Sequence, residues 1–161
     1  FSKAWAMTGW RLGFAILPPA LVDPFSKLII NSVSCTSSFE QMAAVEALNG
    51  PQDAVKAMVE EFRARRQLIV DGLNAIPGIR CRMPHGAFYV FPNVAGTGMN
   101  GSQMADKLLH EGGVCTLSGT AFGKVGKDHI RISYANSQAN LKLALERIAD
   151  VVAKTPAGAT A

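Results

Sequence analysis

The sequence predicts an α+β fold, with helices layered on a short mixed or antiparallel sheet. Three observations predict it. Segments with apolar residues at helical spacing alternate with short β-branched or aromatic runs. Two strand-like runs, "VCTLSG" and "HIRISYA", follow one another with no helix between them, which favours antiparallel neighbours. Finally, 48% apolar against 17% charged residues in a chain of 161 supplies enough material for a packed core.

The elements follow in order. "LGFAILPP" reads as a strand closed by Pro18 and Pro19. "ALVDPFSKLIINSV" has helical spacing, with Pro24 near the helix start. "SCTSS" interrupts it with capping residues, and "FEQMAAVEALNG" resumes a helix that Asn49-Gly50 stops. The longest helix starts at Pro51, carries a stripe at Val55, Met58, Val59, Phe62, Ile69, Leu73 and Ile76, and ends at Pro77-Gly78. Glu61 and Arg65 stand four apart, the spacing of a helix ion pair. "IRCRMPHGAFYVFPNV" is strand-like and broken by Pro84 and Gly86. "SQMADKLLHEGG" is a helix with Ser102 as its cap, and "SQANLKLALERIADVVAK" is a final helix with a stripe at Leu141, Leu145, Ile148 and Val152. Residues 154–161 read as a flexible tail.

Composition narrows the function classes. A net charge of +4 is mild, and the densest basic cluster, Arg63, Arg65 and Arg66, sits beside Glu60 and Glu61 as on a solvated helix face. Nucleic acid is therefore not an expected partner. The three cysteines include no CxxC pair, and the three histidines have no metal-ligand spacing, so neither a disulfide framework nor a metal site is expected. No apolar run has transmembrane length. Reduced thiols suit a cytoplasmic protein.

The chemistry concentrates at the start. In "FSKAWAMTGWRLGF", Lys3 and Arg11 are eight residues apart, and Gly9 and Gly13 flank the arginine. A serine-lysine pair by itself means little, but the whole string resembles "SK-x-(aromatic)-x-MTGWR-(Leu/Ile)-G", the signature of class I aminotransferases, the aspartate aminotransferase family of fold type I pyridoxal-phosphate enzymes. "ALNGPQD", "RRQLIVDGLNAIPGI", "PHGAFYVFPN", "SGTAFG" and "IRISYANS" resemble further family blocks in the family's order, so that the resemblance extends to about Val152. It implies an α+β / α/β architecture that is the C-terminal part of a longer enzyme. Residues 1–50 would be the remnant of the large pyridoxal-phosphate domain and 51–161 the small C-terminal domain. The implied activity is transfer of an amino group from an L-amino acid, aspartate being one candidate, to a 2-oxo acid, in a homodimer.

Residue by residue, the resemblance makes Lys3 the catalytic lysine that holds pyridoxal 5′-phosphate as a Schiff base. Such a lysine needs a neutral amine, which burial and cationic neighbours supply. Arg11 matches the arginine at the cofactor phosphate, where a planar fork suits two oxygens. Arg131 matches the arginine that clamps the substrate α-carboxylate. Trp5, Trp10, Phe88 and Tyr89 read as packing aromatics, His85 as a turn residue, and Tyr134 carries no assigned role. Cys35 stands where the family often has asparagine, Thr36 and Ser118 where it often has proline, and Asn136 where it often has threonine. The family's partners for the cofactor ring are absent from these residues, so the chain by itself is expected to be inactive and not to retain the cofactor. A carbon–sulfur β-lyase on the same scaffold, or a non-catalytic structural piece, are the alternatives.

Overall fold

A computed structural model describes residues 1–155; of the tail expected to be flexible, residues 156–161 lie outside the described residues. The chain divides into two compact units, Phe1–Met58 and Val59–Ala161.

The first unit opens with a turn at residues 2–5 and then runs without regular structure from Arg11 to Pro18. The strand expected in "LGFAIL" is therefore not formed: among the described residues no second strand lies beside it, and a strand exists only through its ladder partner. Helix α1 (Pro19–Val33) begins with proline at its first position and contains Pro24. Its apolar residues are not covered: Leu21, Phe25, Leu28, Ile29 and Ile30 are all exposed, and no residue of α1 is buried. Helix α2 (Ser38–Asn49) ends where Gly50 donates its N–H to the Glu46 carbonyl, 2.7 Å away. Met7 and Ala44 are the buried hydrophobic residues of this unit. The helix expected from Pro51 is α3 (Asp53–Asn74), the longest at 22 residues.

The second unit has the α+β arrangement. Its sheet has the order β1 (Tyr89–Val90), β3 (Ile130–Ser133), β2 (Leu117–Ser118), with both pairings antiparallel. Bridges at Arg80–Asn93 and Asn93–His129 prolong the ladder beyond these strands. Strand alternation sends Val90, Ile130 and Ile132 into a core shared with Ile69 and Leu73 of α3, Met104 and Leu108 of α4 (Gly101–His110), and Leu141 and Ile148 of α5 (Gln138–Ala153). Burial of these side chains stabilises the unit by roughly 1.5–3 kcal/mol each, relative to leaving them in water. The α3 stripe is buried only from Ile69 onward; Val59 stays exposed, because the core lies against the C-terminal half of the helix. Leu145 and Val152 of the α5 stripe are partly buried, and Val151 is the buried residue in the last turn.

Two local devices fix this frame. Asn74 both donates to the Cys81 carbonyl (2.9 Å) and accepts from the Cys81 N–H (2.8 Å), closing the turn between α3 and the extended segment that follows. Glu61 accepts from Arg65 at 2.7 Å, the expected pair, and also from Gln138 of α5 at 3.1 Å. These bonds, the one from Arg65 first, hold the Glu61 carboxyl below its ordinary range. The N-cap of α4 differs from the expected Ser102. Asn100 accepts from the N–H groups of Ser102 and Gln103, and Gln103 accepts from Asn100 N–H, which completes a capping box. Ser102 Oγ lies instead 2.9 Å from Ser118 Oγ.

Candidate active site

Lys3 and Arg11 lie in the first unit and Arg131 in the second. Lys3 is in the opening turn and exposed. The burial that would neutralise a Schiff-base lysine is therefore not supplied by this unit. Arg11 is also exposed, with φ of 50°, a left-handed backbone that a non-glycine residue adopts at a cost. Its Nη1 donates to the Thr8 carbonyl at 2.9 Å, closing the "TGWR" turn. Around Gly9 and Gly13 an added Cβ would meet nothing within 4 Å, so the backbone here borders open space. Trp5 packs 5.2 Å from the Phe1 ring and donates Nε1–H to Gln52 at 3.3 Å. Trp10, expected to pack, is 42% exposed.

Arg131 is the most constrained of the three. It sits in the central strand β3, half-buried, on the face opposite the core. Its guanidinium carbon lies 4.4 Å from the centre of the Tyr89 ring and 4.2 Å from that of Phe122. None of the four ion pairs among the described residues involves it. Two ring faces therefore hold the cation in place without consuming the edge of the guanidinium, where its hydrogen-bond donors point. A planar fork so held is suited to a carboxylate supplied from outside.

Tyr89 and Phe122 were not legible as partners of Arg131. The strand register carries the signal: Tyr89 pairs with Ser133 and Leu117 with Arg131, so Tyr89 and Arg131 share one face as diagonal neighbours. Phe122 arrives from a 3-10 turn, Gly119–Phe122, where Gly119 is packed against the backbone of Gly126 too tightly for a Cβ on either residue. Gly119 N–H donates to the His129 carbonyl at 2.8 Å, tying this turn to the residue before β3. Tyr134, which had no expected role, is buried and donates its hydroxyl to the Ala87 carbonyl at 2.8 Å. Ala87 has φ of 60°, so Tyr134 braces a strained point in the "PHGAFY" turn that leads into Tyr89. Burial raises the Tyr134 hydroxyl above its ordinary range. His85 is exposed in the same turn.

The profile of the family described as "Aminotransferase class I and II" matches residues 1–148. The chain belongs to that family. It is 43% identical over 150 residues to the aspartate aminotransferase of Pyrococcus horikoshii, covering 92% of this chain and 38% of that one. It is 46% identical over 157 residues to the aspartate aminotransferase of Rhizobium meliloti, covering 91% of this chain and 38% of the relative. The crystal structure of the aspartate aminotransferase from Rhizobium meliloti superposes with a TM-score of 0.91 at 44% identity, over 96% of this chain and 41% of the other. This aminotransferase-family chain thus spans about two fifths of the length of the relatives it matches.

Family membership implies pyridoxal phosphate as cofactor. By donor type alone, and without the burial noted above, the first unit suits the aldehyde and the phosphate of that cofactor. Lys3 offers a primary amine for an aldehyde, and Arg11 offers a guanidinium for a phosphate monoester. Among the described residues no group of three or more potential metal ligands occurs, and no helix is long and apolar enough to cross a membrane.

Proposed function

We propose that this chain carries the lysine, one phosphate-binding arginine and the carboxylate-binding arginine of a pyridoxal-phosphate-dependent aminotransferase. The reaction moves an amino group from an L-amino acid, with aspartate as one candidate, to a 2-oxo acid. The observation that carries this reading is Arg131: a half-buried guanidinium sandwiched between Tyr89 and Phe122, with no carboxylate partner among the described residues. The match to relatives named aspartate aminotransferase supports it.

In this reading Lys3 Nζ is the group that would hold the cofactor. Bound pyridoxal phosphate supplies an electron sink that acidifies the substrate α-carbon. The Lys3 amine would accept the proton from that carbon. Arg11 anchors the phosphate group as a fork on two oxygens. Arg131 fixes the substrate carboxylate and so orients the Cα–H bond for proton removal, which is positioning rather than chemistry.

We take residues 1–50 as part of a larger cofactor domain and 51–161 as the small domain. The exposed apolar face of α1 and the sparse burial of the first unit support this, because such a face is stable only against further protein. The reading includes a homodimer, which light scattering on the intact protein tests. Cys35, Cys81 and Cys115 are all free, which supports a reducing compartment such as the cytoplasm. Residues 1–161 alone are expected to bind the cofactor weakly; a stoichiometric cofactor absorbance surviving dialysis would contradict that.

The deciding experiment is Lys3→Ala in the intact protein. The variant is expected to lose transamination while keeping its far-ultraviolet circular dichroism. Near-normal turnover would remove Lys3 from its role. Release of 2-oxo acid and ammonia by the unmodified protein, with no acceptor present, would point to β-elimination instead.

A further inference from the structure

The second unit holds a cleft of about 880 Å³ on the same side of the sheet as Tyr89, bordered by Arg80, Arg82, Phe91, Asn93 and His129. That volume lies within the range of small-ligand sites. Its electrostatics are one-sided. No aspartate or glutamate lines it, and neither arginine takes part in an ion pair among the described residues.

The backbone explains why the two arginines converge. Residues 80 to 82 are extended, so side chains alternate: Cys81 turns into the core at 7% exposure, and Arg80 and Arg82 both project to the opposite side. The bridges from Arg80 to Asn93 and from Asn93 to His129 place these residues in one row across the sheet. Phe91 and His129 stack with their centres 5.0 Å apart and planes 9° from parallel, giving the row a flat, rigid wall. His129 Nδ1 is buried without a partner among the described residues, an unmet polar group beside the cleft. Two guanidinium forks facing one cleft, with no ion-pair partner among the described residues, attract an anion from solution.

We infer that this cleft binds a small ligand carrying two neighbouring anionic groups, one for each arginine. The shared chemistry fits a diphosphate or a polycarboxylate. Lys3, Arg11 and Arg131 do not line the cleft, although Tyr89, which borders it, also lies against Arg131.

The test is calorimetric titration of the intact protein at low salt, with inorganic pyrophosphate in one arm and citrate in the other. Saturable binding in at least one arm is expected, weakening as salt rises. The paired variant Arg80→Gln with Arg82→Gln should weaken it by about tenfold or more, as loss of charge-assisted bonds does. The control pair Lys142→Gln with Arg147→Gln, exposed on α5, removes the same charge elsewhere and should leave binding unchanged. Equal weakening by both pairs, or no saturable binding in either arm, overturns the site. Arg80 and Arg82 are exposed, so their replacement spares the core. Neither pair contains a residue of the transamination reading, so the outcome stands apart from that reading.

Discussion

The guanidinium of Arg131 lies 4.4 Å from the centre of the Tyr89 ring, and the antiparallel register of β1 and β3 sets that distance. If Arg131 binds the substrate carboxylate, the ring acts by holding the fork in place. Tyr89→Leu should then raise KM about two- to thirtyfold, the loss of a cation–π contact of ~0.5–2 kcal/mol, with kcat less affected. Tyr89→Phe should restore it, because the ring face is kept. Arg131→Ala should cost about 2–5 kcal/mol in kcat/KM. Steady-state kinetics with amino donor and 2-oxo acceptor checks all three; an unchanged KM in Tyr89→Leu would leave the ring without a positioning role.

Gly119 controls the other ring. A Cβ there would meet the Gly126 carbonyl, the His129 carbonyl at 2.7 Å and the Phe91 ring at 2.9 Å. Backbone on two sides cannot yield easily, so Gly119→Ala should destabilise the protein by about 1–3 kcal/mol, the usual scale of overpacking. Phe122, on the same turn, should shift and weaken carboxylate binding as well. Gly86→Ala is the comparison, since nothing lies within 4 Å of a Cβ at that position. Urea unfolding midpoints of the two variants should differ clearly; equal midpoints would show that the turn gives way.

Cys81 links stability to alkaline pH. Burial pushes its thiol from 9.0 up to about 11. The unfolded chain therefore loses this proton first. The stabilisation is complete below about pH 9 and is lost as pH rises toward 11, in total about 2–3 kcal/mol. Cys81→Ala should flatten the fall in unfolding free energy between pH 9 and 10. Above that range Tyr134, also raised by burial, contributes a fall of the same sign. An unaltered slope in the alanine variant would place the alkaline loss elsewhere.

Tyr134→Phe should lower stability by about 0.5–1.5 kcal/mol, because the Ala87 carbonyl loses its donor while the ring stays buried. Ala87 is held at φ of 60°, so the "PHGAFY" turn should loosen first. Amide exchange at Phe88 to Val90 reports this directly. Protection there equal to that of the unmodified protein would show that the hydroxyl braces nothing.

The sequence by itself determined the helices, the family and the identities of Lys3, Arg11 and Arg131 as candidates. Those rest on short-range information: periodicity of apolar residues, proline and glycine punctuation, and contiguous strings such as "AMTGWRLGF" and "IRISYANS". Tertiary structure decided what depends on residues distant in the chain. "LGFAIL" has strand composition yet forms no strand, since a ladder needs a second strand that the described residues do not place beside it. Asn100 rather than Ser102 caps α4 through a local capping box with Gln103, while Ser102 Oγ meets Ser118 from sixteen residues away. Tyr89 read as a packing residue and Phe122 carried no reading, and only the register of three short strands and the close approach of Gly119 to Gly126 bring both rings against the guanidinium of Arg131. Composition cannot encode that sandwich; it exists because strand alternation and a backbone contact free of side chains converge on one face of the sheet.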